Sequence, residues 1–201
     1  PDLAANIWVN PGETPNNGID DDGNGFIDDV NGWDFYDDDN TPNDGNGHGT
    51  HVAGTIGAVG NNNSGIAGVN WEVSLLPLRF LGDDGSGWTS DAVAAVNYAT
   101  MLKRDFGINV AATNNSWGGG GYNLFEQEMV SMCADNYNAL IFAAAGNENI
   151  EEAHYPSSYQ NVVSVTASGP NNGWNHWATY HTSVDLASPG ESIESCVNNG
   201  G

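Results

Sequence analysis

Basic side chains are nearly missing from this chain. Arg79, Lys103 and Arg104 stand against 26 acidic residues, a formal net charge of -23. A nucleic-acid binder needs clustered Lys and Arg, and anionic membranes repel so acidic a chain, so both partners are excluded. Cysteine is scarce as well. Cys133, in a predicted helix, and Cys196, in a predicted strand, cannot build a disulfide scaffold; the unbridged form is favoured, with the redox state open. No apolar run approaches the roughly 18 residues that a membrane helix needs. No initiator Met or signal-peptide pattern opens the chain, which runs from Pro1 to Asn198-Asn199-Gly200-Gly201; these ends suggest a piece cut on both sides. What remains suits one domain. The 201 residues are 39% apolar and 10% aromatic, too rich for a disordered chain.

Charge is unevenly placed. Twelve of the 26 acidic residues fall before residue 45, interleaved with Gly, Asn and Pro. This stretch has no apolar periodicity, so it is either a solvated arm or a loop region organised by cations. From residue 48 the texture changes. His48 to Val59 reads as a helix of small residues, and Val73 to Leu81 as a strand, since Pro77 disfavours a helix. A helix capped by Thr89 or Ser90 runs through Leu102, with Val93, Val96, Ala99 and Leu102 on one face. Lys103 and Arg104 in its last turn complement the helix dipole. Strands are predicted over 110–116, 139–144, 162–167 and 184–187, and a helix over 124–136. Such alternation predicts an α/β fold with a parallel, doubly wound sheet, helices on both faces and chemistry at the carboxyl ends of strands.

Three segments stand out chemically. In Asn46-Gly47-His48-Gly49-Thr50-His51-Val52-Ala53-Gly54, a His between glycines at a helix start suits a general base. A packed histidine is the plainer alternative. Zinc held by His48 and His51 is a third, although the spacing is i, i+3 and the Glu of the metalloprotease motif is absent. In Ala143-Ala144-Ala145-Gly146-Asn147-Glu148, an Asn closing a buried strand either forms an Asx turn or donates to an oxyanion. Asn115-Ser116-Trp117-Gly118-Gly119-Gly120 and Gly85-Ser86-Gly87 are flexible loops or edges that pair with an extended peptide.

A fourth pattern lies in the acidic stretch. Asp20, Asp22 and Asn24 alternate and are followed by Gly25-Phe26, as in the first half of an EF-hand-like loop in which the Phe26 carbonyl meets the ion. The closing Glu is absent, and Asp28 or Asp29 would close a shorter loop. Hard oxygen donors favour calcium over zinc, with plain solvated acid as the alternative.

Together and in this order, the segments resemble the subtilisin-like serine endopeptidases, the subtilases, over essentially the whole chain. Gly32-Trp33-Asp34-Phe35 through His48 is most similar to the thermitase-like branch. The resemblance implies that His48 is the histidine of an Asp-His-Ser triad and Asn147 the oxyanion donor. It implies that Ser116, Trp117, Gly118 and Gly119 line the first specificity pocket, that Gly85, Ser86 and Gly87 pair with substrate, and that His51 only packs. Pro1-Asp2-Leu3 looks like the end of the family's His-Pro-Asp-Leu run, which places the triad Asp before residue 1. Ser188-Pro189-Gly190 looks like the turn before the nucleophile, which places the Ser beyond residue 201. The stretch by itself is therefore expected not to cleave. Asp34 sits where the family binds metal and is not taken as the triad Asp.

The same resemblance implies two more calcium sites. Asp34, Asp39, Thr41 and the Asn43 carbonyl, with help from Asp37, would form one. Asp2, the Asn62 side chain and the carbonyls of Gly60, Ser64 and Ile66 would form the other. The implied protein is a secreted, calcium-dependent, monomeric endopeptidase acting on polypeptides. Residues 1–201 would be part of its catalytic domain, with a calcium-binding region over 1–45 and a sheet core over 46–201. A calcium-binding adhesion module and a zinc hydrolase are the rival readings. Trp117 at the pocket wall, with no base beside it, suggests apolar or aromatic side chains at the cleavage position.

Overall fold

Parallel pairing dominates the computed structural model, which describes residues 2–136, 138–173 and 175–198. Pro1 of the Pro1-Asp2-Leu3 run and the closing Asn199-Gly200-Gly201 lie outside the described residues. The chain divides into two compact units. One holds Pro1–Ala95 and Glu194–Gly201, and the other holds Val96–Ile193.

In the first unit, β1 (Trp33–Asp34) pairs in parallel with β2 (Leu78–Arg79). The strand expected over 73–81 shrinks to these two residues plus a parallel bridge from Leu75 to Ile7. Pro77, which has no N–H to donate, lies between the two pieces. Helix α1 (His48–Gly57) follows the acidic stretch. That stretch is neither periodic nor formless. Its carboxylates accept from nearby backbone amides: Asp20 from Gly23, Asn24 and Gly25; Asp28 from Asn17 and Gly18; Asp34 from Tyr36 and Asp37. Such Asx-type turns replace the amide–water bonds that a loop would otherwise need. Phe26 anchors the arm, meeting Trp33 edge-on at 5.0 Å and Phe35 at 5.9 Å between ring centres.

Helix α2 (Thr89–Asp105) includes Thr89 in its first turn and ends with Lys103 and Arg104, as the dipole argument requires. Ala92, Ala95, Val96, Ala99 and Leu102 are buried along one stripe. The second unit is built on a four-stranded parallel sheet in the order β3-β4-β5-β6. Its strands are β3 (Ala112–Asn115), β4 (Leu140–Ala144), β5 (Val162–Ser168) and β6 (Leu186–Pro189). The last lies two residues later than expected, and its terminal Pro189 is tolerable because β6 is an edge strand. Helix α3 (Leu124–Ser131) is capped by Asn123, whose side chain accepts from the Phe125 and Glu126 amides. The helix expected as far as Asn136 widens into a π turn over Met132–Asn136. Both cysteines carry free thiols; Cys133 is in that π turn, and Cys196 is in irregular chain rather than a strand.

A buried polar pair ties α3 to the segment before β5. Glu126, 4% exposed, accepts from the Tyr159 hydroxyl at 2.8 Å, and that hydroxyl accepts from the Asn123 amide at 2.9 Å. Burial raises the Glu126 carboxyl above its usual range, only partly opposed by the Tyr159 hydrogen bond. The native state therefore holds this proton to higher pH than the unfolded chain does. Stability is lost as pH rises from the unfolded value through the folded one. Glu126→Gln keeps an acceptor for Tyr159 and removes the charge. Thermal melts from pH 4 to pH 8 should show the variant matching wild type at the acid end and melting higher at pH 8. A variant that melts lower at pH 8 than at pH 4, relative to wild type, contradicts this.

Candidate active site

His48 heads α1 because the chain in front of it is locked. Gly47 caps the helix at φ 99°, a left-handed conformation open to glycine at little cost. Asp44 then takes up amides on both sides of the helix start. Its Oδ1 accepts from Asn46 and Gly47, and its Oδ2 from the Thr50 amide and hydroxyl, both at 2.7 Å. Burial pushes the Asp44 carboxyl up, but these hydrogen bonds, led by the Thr50 hydroxyl, hold it below the usual range. The His48 side chain is exposed. His51 is half-buried, and its carbonyl accepts from Thr55 and Ser195. A Cβ at Gly54 would sit 2.4 Å from Ser195 Oγ and 2.8 Å from the Cys196 amide, so the small residue lets the 195–196 segment lie against α1.

Gly85 belongs to a tight turn in the same unit. The Gly82 amide donates to the Ser86 carbonyl, and the Ser86 amide donates to Asp84. That carbonyl is thus engaged, while Gly85, Ser86 and Gly87 are all exposed.

The three expected metal regions differ in their fit. Asp2 does meet the 60–66 loop: its oxygens accept from the Asn62 side chain and the Ile66 amide, each at 3.0 Å, which lowers its carboxyl, the Asn62 bond most. Residues 61–67, among them Asn62, Ser64 and Ile66, line an open hollow there. Asp34, Thr41 and Asn43 line a second hollow with Asp37, but Arg79 shares it. The Arg79 guanidinium pairs with Asp34, Asp37 and Asp83, so a resident cation already balances Asp34, which is 1% exposed. Asp39 is occupied by the Thr41 amide and hydroxyl. Asp34 therefore finds its partners in Tyr36, Asp37 and Arg79.

The EF-like stretch rearranges most. Asp20 is spent on the loop's own amides. Asp22 and Asp29 instead converge with Glu13, a residue outside the sequence pattern, and their oxygens lie within 4.8 Å of one another. Calcium takes oxygens at 2.3–2.6 Å, so one ion spans about that separation. Asn24 bridges Asp22 and Asp29 with its amide, and its oxygen accepts from Phe26. Glu13 Oε1 accepts from the Asp21 and Asp22 amides, whereas Oε2 is sealed from solvent with no partner. Burial, then the charges of Asp29 and Asp22, push the Glu13 carboxyl up. Three converging carboxylates with an orphaned oxygen fit a divalent cation.

In the second unit, β3 and β4 run parallel with Asn115 opposite Ala143, so both chains leave the sheet at one edge. This places Ser116, Trp117, Gly118 and Gly119 beside the Gly146-Asn147 loop. Asn115 steadies the first segment, donating to the Phe142 carbonyl and accepting the Trp117 indole N–H at 3.2 Å. Thr179 steadies the second. Its amide donates to the Gly146 carbonyl, while its hydroxyl accepts from the Glu148 amide and donates to the Glu148 carboxylate at 2.6 Å. Those contacts, the Thr179 hydroxyl first, lower the Glu148 carboxyl. The Asn147 amide also donates to Glu148, and the Asn147 residue itself is exposed at the strand's carboxyl end.

The subtilase family model matches residues 1–201. The chain is 40% identical to thermitase of Thermoactinomyces vulgaris over 166 residues, 83% of this chain and 57% of thermitase. It is 37% identical to a thermophilic serine proteinase of Bacillus sp. (strain AK1), covering 84% of this chain and 40% of that protein. The solved structure of sphericase superposes with a TM-score of 0.76 at 29% identity, covering 83% of this chain and 61% of that one. The chain thus spans about half the length of the curated relatives it matches.

Proposed function

The chain belongs to the subtilase family, and on that premise we propose that its parent protein is a secreted, calcium-dependent serine endopeptidase. Residues 1–201 form part of its catalytic domain. His48 takes the proton of a serine nucleophile and passes it to the leaving amine. The Ser, and the Asp that orients His48, come from outside residues 1–201, which do not cleave by themselves. Asn147 donates a hydrogen bond to the oxygen that gains charge as the peptide carbonyl is attacked. Ser116, Trp117, Gly118 and Gly119 contact the substrate chain, as do Gly85, Ser86 and Gly87. The protein acts as a monomer on polypeptides.

Calcium serves stability rather than the bond-breaking step. Glu13, Asp22 and Asp29, with Asn24 and the Phe26 carbonyl, hold one ion. Asp2, Asn62 and the carbonyls of Gly60, Ser64 and Ile66 hold another. A site at Asp34, Asp39, Thr41 and Asn43 would have to accommodate Arg79.

One observation carries the reading: the family match runs the length of the chain and includes the His48 and Asn147 segments. The test is peptide hydrolysis by the purified full-length protein. A serine-directed sulfonyl fluoride should abolish it, and metal analysis should return calcium. Hydrolysis that survives this reagent but stops when zinc is removed would favour the zinc hydrolase instead.

A further inference from the structure

Five Asn-Gly pairs lie among the described residues: Asn17-Gly18, Asn24-Gly25, Asn31-Gly32, Asn46-Gly47 and Asn172-Gly173. Such a pair is chemically labile, because glycine has no side chain to hinder attack of its own nitrogen on the preceding Asn carboxamide. Here each of the five glycine amides is engaged. Gly18 donates to Asp28, Gly25 to Asp20 and Gly47 to Asp44, each at 2.8 Å. Gly32 donates to the Asp29 carbonyl and Gly173 to the Pro170 carbonyl. The carboxamides from Asn17 to Asn46 are held too. Asn17, Asn24 and Asn46 each turn the side-chain oxygen to the amide two residues on, and the Asn31 side chain donates to the Trp8 carbonyl. Of these four, Asn24 is the buried one. Its Nδ2 donates to Asp22 at 3.2 Å and to Asp29 at 2.8 Å, whereas Gly25 beside it is exposed.

We propose that Asn24 is a deamidation site that the folded arm keeps shut, and that its conversion, once the arm opens, prevents the arm from closing again. The inference rests on the calcium reading above, since loss of the ion is what opens the arm.

In the opened chain the Gly25 nitrogen attacks Asn24 Cγ. The N–Cγ bond forms, the Cγ–Nδ2 bond breaks, and Nδ2 leaves as ammonia with the proton from Gly25. Water then opens the resulting succinimide at either carbonyl, giving Asp or isoaspartate, and no oxidant or reductant takes part. Either product lacks the amino group that joins Asp22 to Asp29 and places a further negative charge beside them. Isoaspartate also lengthens the main chain by one carbon. It does so in a loop where the amides of Gly23, Asn24 and Gly25 all meet the Asp20 carboxylate, so their register is lost.

The full-length protein, treated with a sulfonyl fluoride so that it does not cut itself, is to be aged at mildly alkaline pH in millimolar calcium and in excess chelator. Peptide mapping follows Asn24 and Asn17, and a synthetic peptide of residues 17–29 gives the rate without a fold. A closed site reacts only through its open fraction, so calcium at 100 times its dissociation constant should slow conversion of Asn24 about 100-fold relative to chelator. The chelated protein should approach the rate of the peptide. Calcium returned early should restore the melting temperature, and calcium returned after Asn24 has converted should not. Asn24→Gln, which cannot form the five-membered ring, should still recover although its Asn17 converts. Equal Asn24 rates in the calcium-loaded protein and the peptide overturn the proposal, as does full recovery by the converted protein. If Asn24→Gln does not fold, those two wild-type measurements decide. A chelator that moves neither the melting temperature nor the conversion rate overturns the calcium reading and this one together; one that lowers the melting temperature without speeding conversion overturns this one alone.

Discussion

His48→Ala should lower kcat of the full-length protein by roughly 10⁶, with KM and melting temperature close to wild type. The magnitude is the one established for subtilisin itself, a member of the same family. His48 is exposed and heads α1, whose start is fixed by Asp44 through Gly47 and Thr50. Truncating the imidazole removes little buried surface and none of those capping bonds, so the fold should survive while proton transfer does not. Asn147→Leu should cost less, about 10²–10³ in kcat, because it removes one donor to the developing oxyanion and leaves base and nucleophile in place. The split between kcat and KM matters. A His48→Ala protein that retains a tenth of wild-type kcat would show that His48 is a packing residue after all.

The parts of the fold that repeat were legible in the sequence. Helix α2 declared itself through its apolar stripe and its basic last turn, and β4 and β5 through short apolar runs bounded by turn residues. The placement of His48, between Gly47 and Gly49 at a helix start, and of Asn147, after Gly146 at a strand end, was legible in the same way. The acidic arm was not, because its structure is local and aperiodic. Asp20 reads as the first ligand of a loop, yet its carboxylate is taken up by three amides within five residues. Nothing in the chain distinguishes an Asp that caps a turn from one that is free for a cation.

Contacts that close over long sequence distances were also hidden. Glu13 joins Asp22 and Asp29 only once the loop has folded back. Arg79 reads as one of three scattered cations, and only the pairing of β1 with β2 brings it beside Asp34. The His154 ring packs against Gly118, 36 residues earlier in the chain, and has no flanking signature. The glycines were the available clue. Gly118 reads as a flexible loop residue and Gly146 as part of a strand-closing turn, whereas each leaves room for a neighbouring side chain.

Excess chelator should lower the melting temperature of the full-length protein by about 5–10 °C for each calcium site emptied, and the first proteolytic nicks should fall within residues 1–45. The arm carries twelve acidic residues and no basic one. Most of these carboxylates accept backbone amides, which offsets their desolvation but adds no positive charge. At Glu13, Asp22 and Asp29 the oxygens lie within 4.8 Å, and one of them is sealed off without a partner. Like charges about 4 Å apart repel by roughly 1 kcal/mol in water and about 4 kcal/mol near a protein surface. A calcium ion reverses the sign of that local field. Present at 100 times its dissociation constant, it stabilises the folded state by about 2.7 kcal/mol, and each kcal/mol moves the melting temperature by about 2–4 °C in a chain of this size. Variants separate the sites. Glu13→Gln and Asp29→Asn should each shrink the difference between millimolar calcium and chelator, whereas Asp20→Asn should leave it unchanged, because Asp20 already serves its own turn. Arg79 balances Asp34 without an ion, so little of the response should originate there. Equal melting temperatures and equal nicking patterns with and without calcium would mean that the arm is held by its amide bonds and the Phe26 cluster alone.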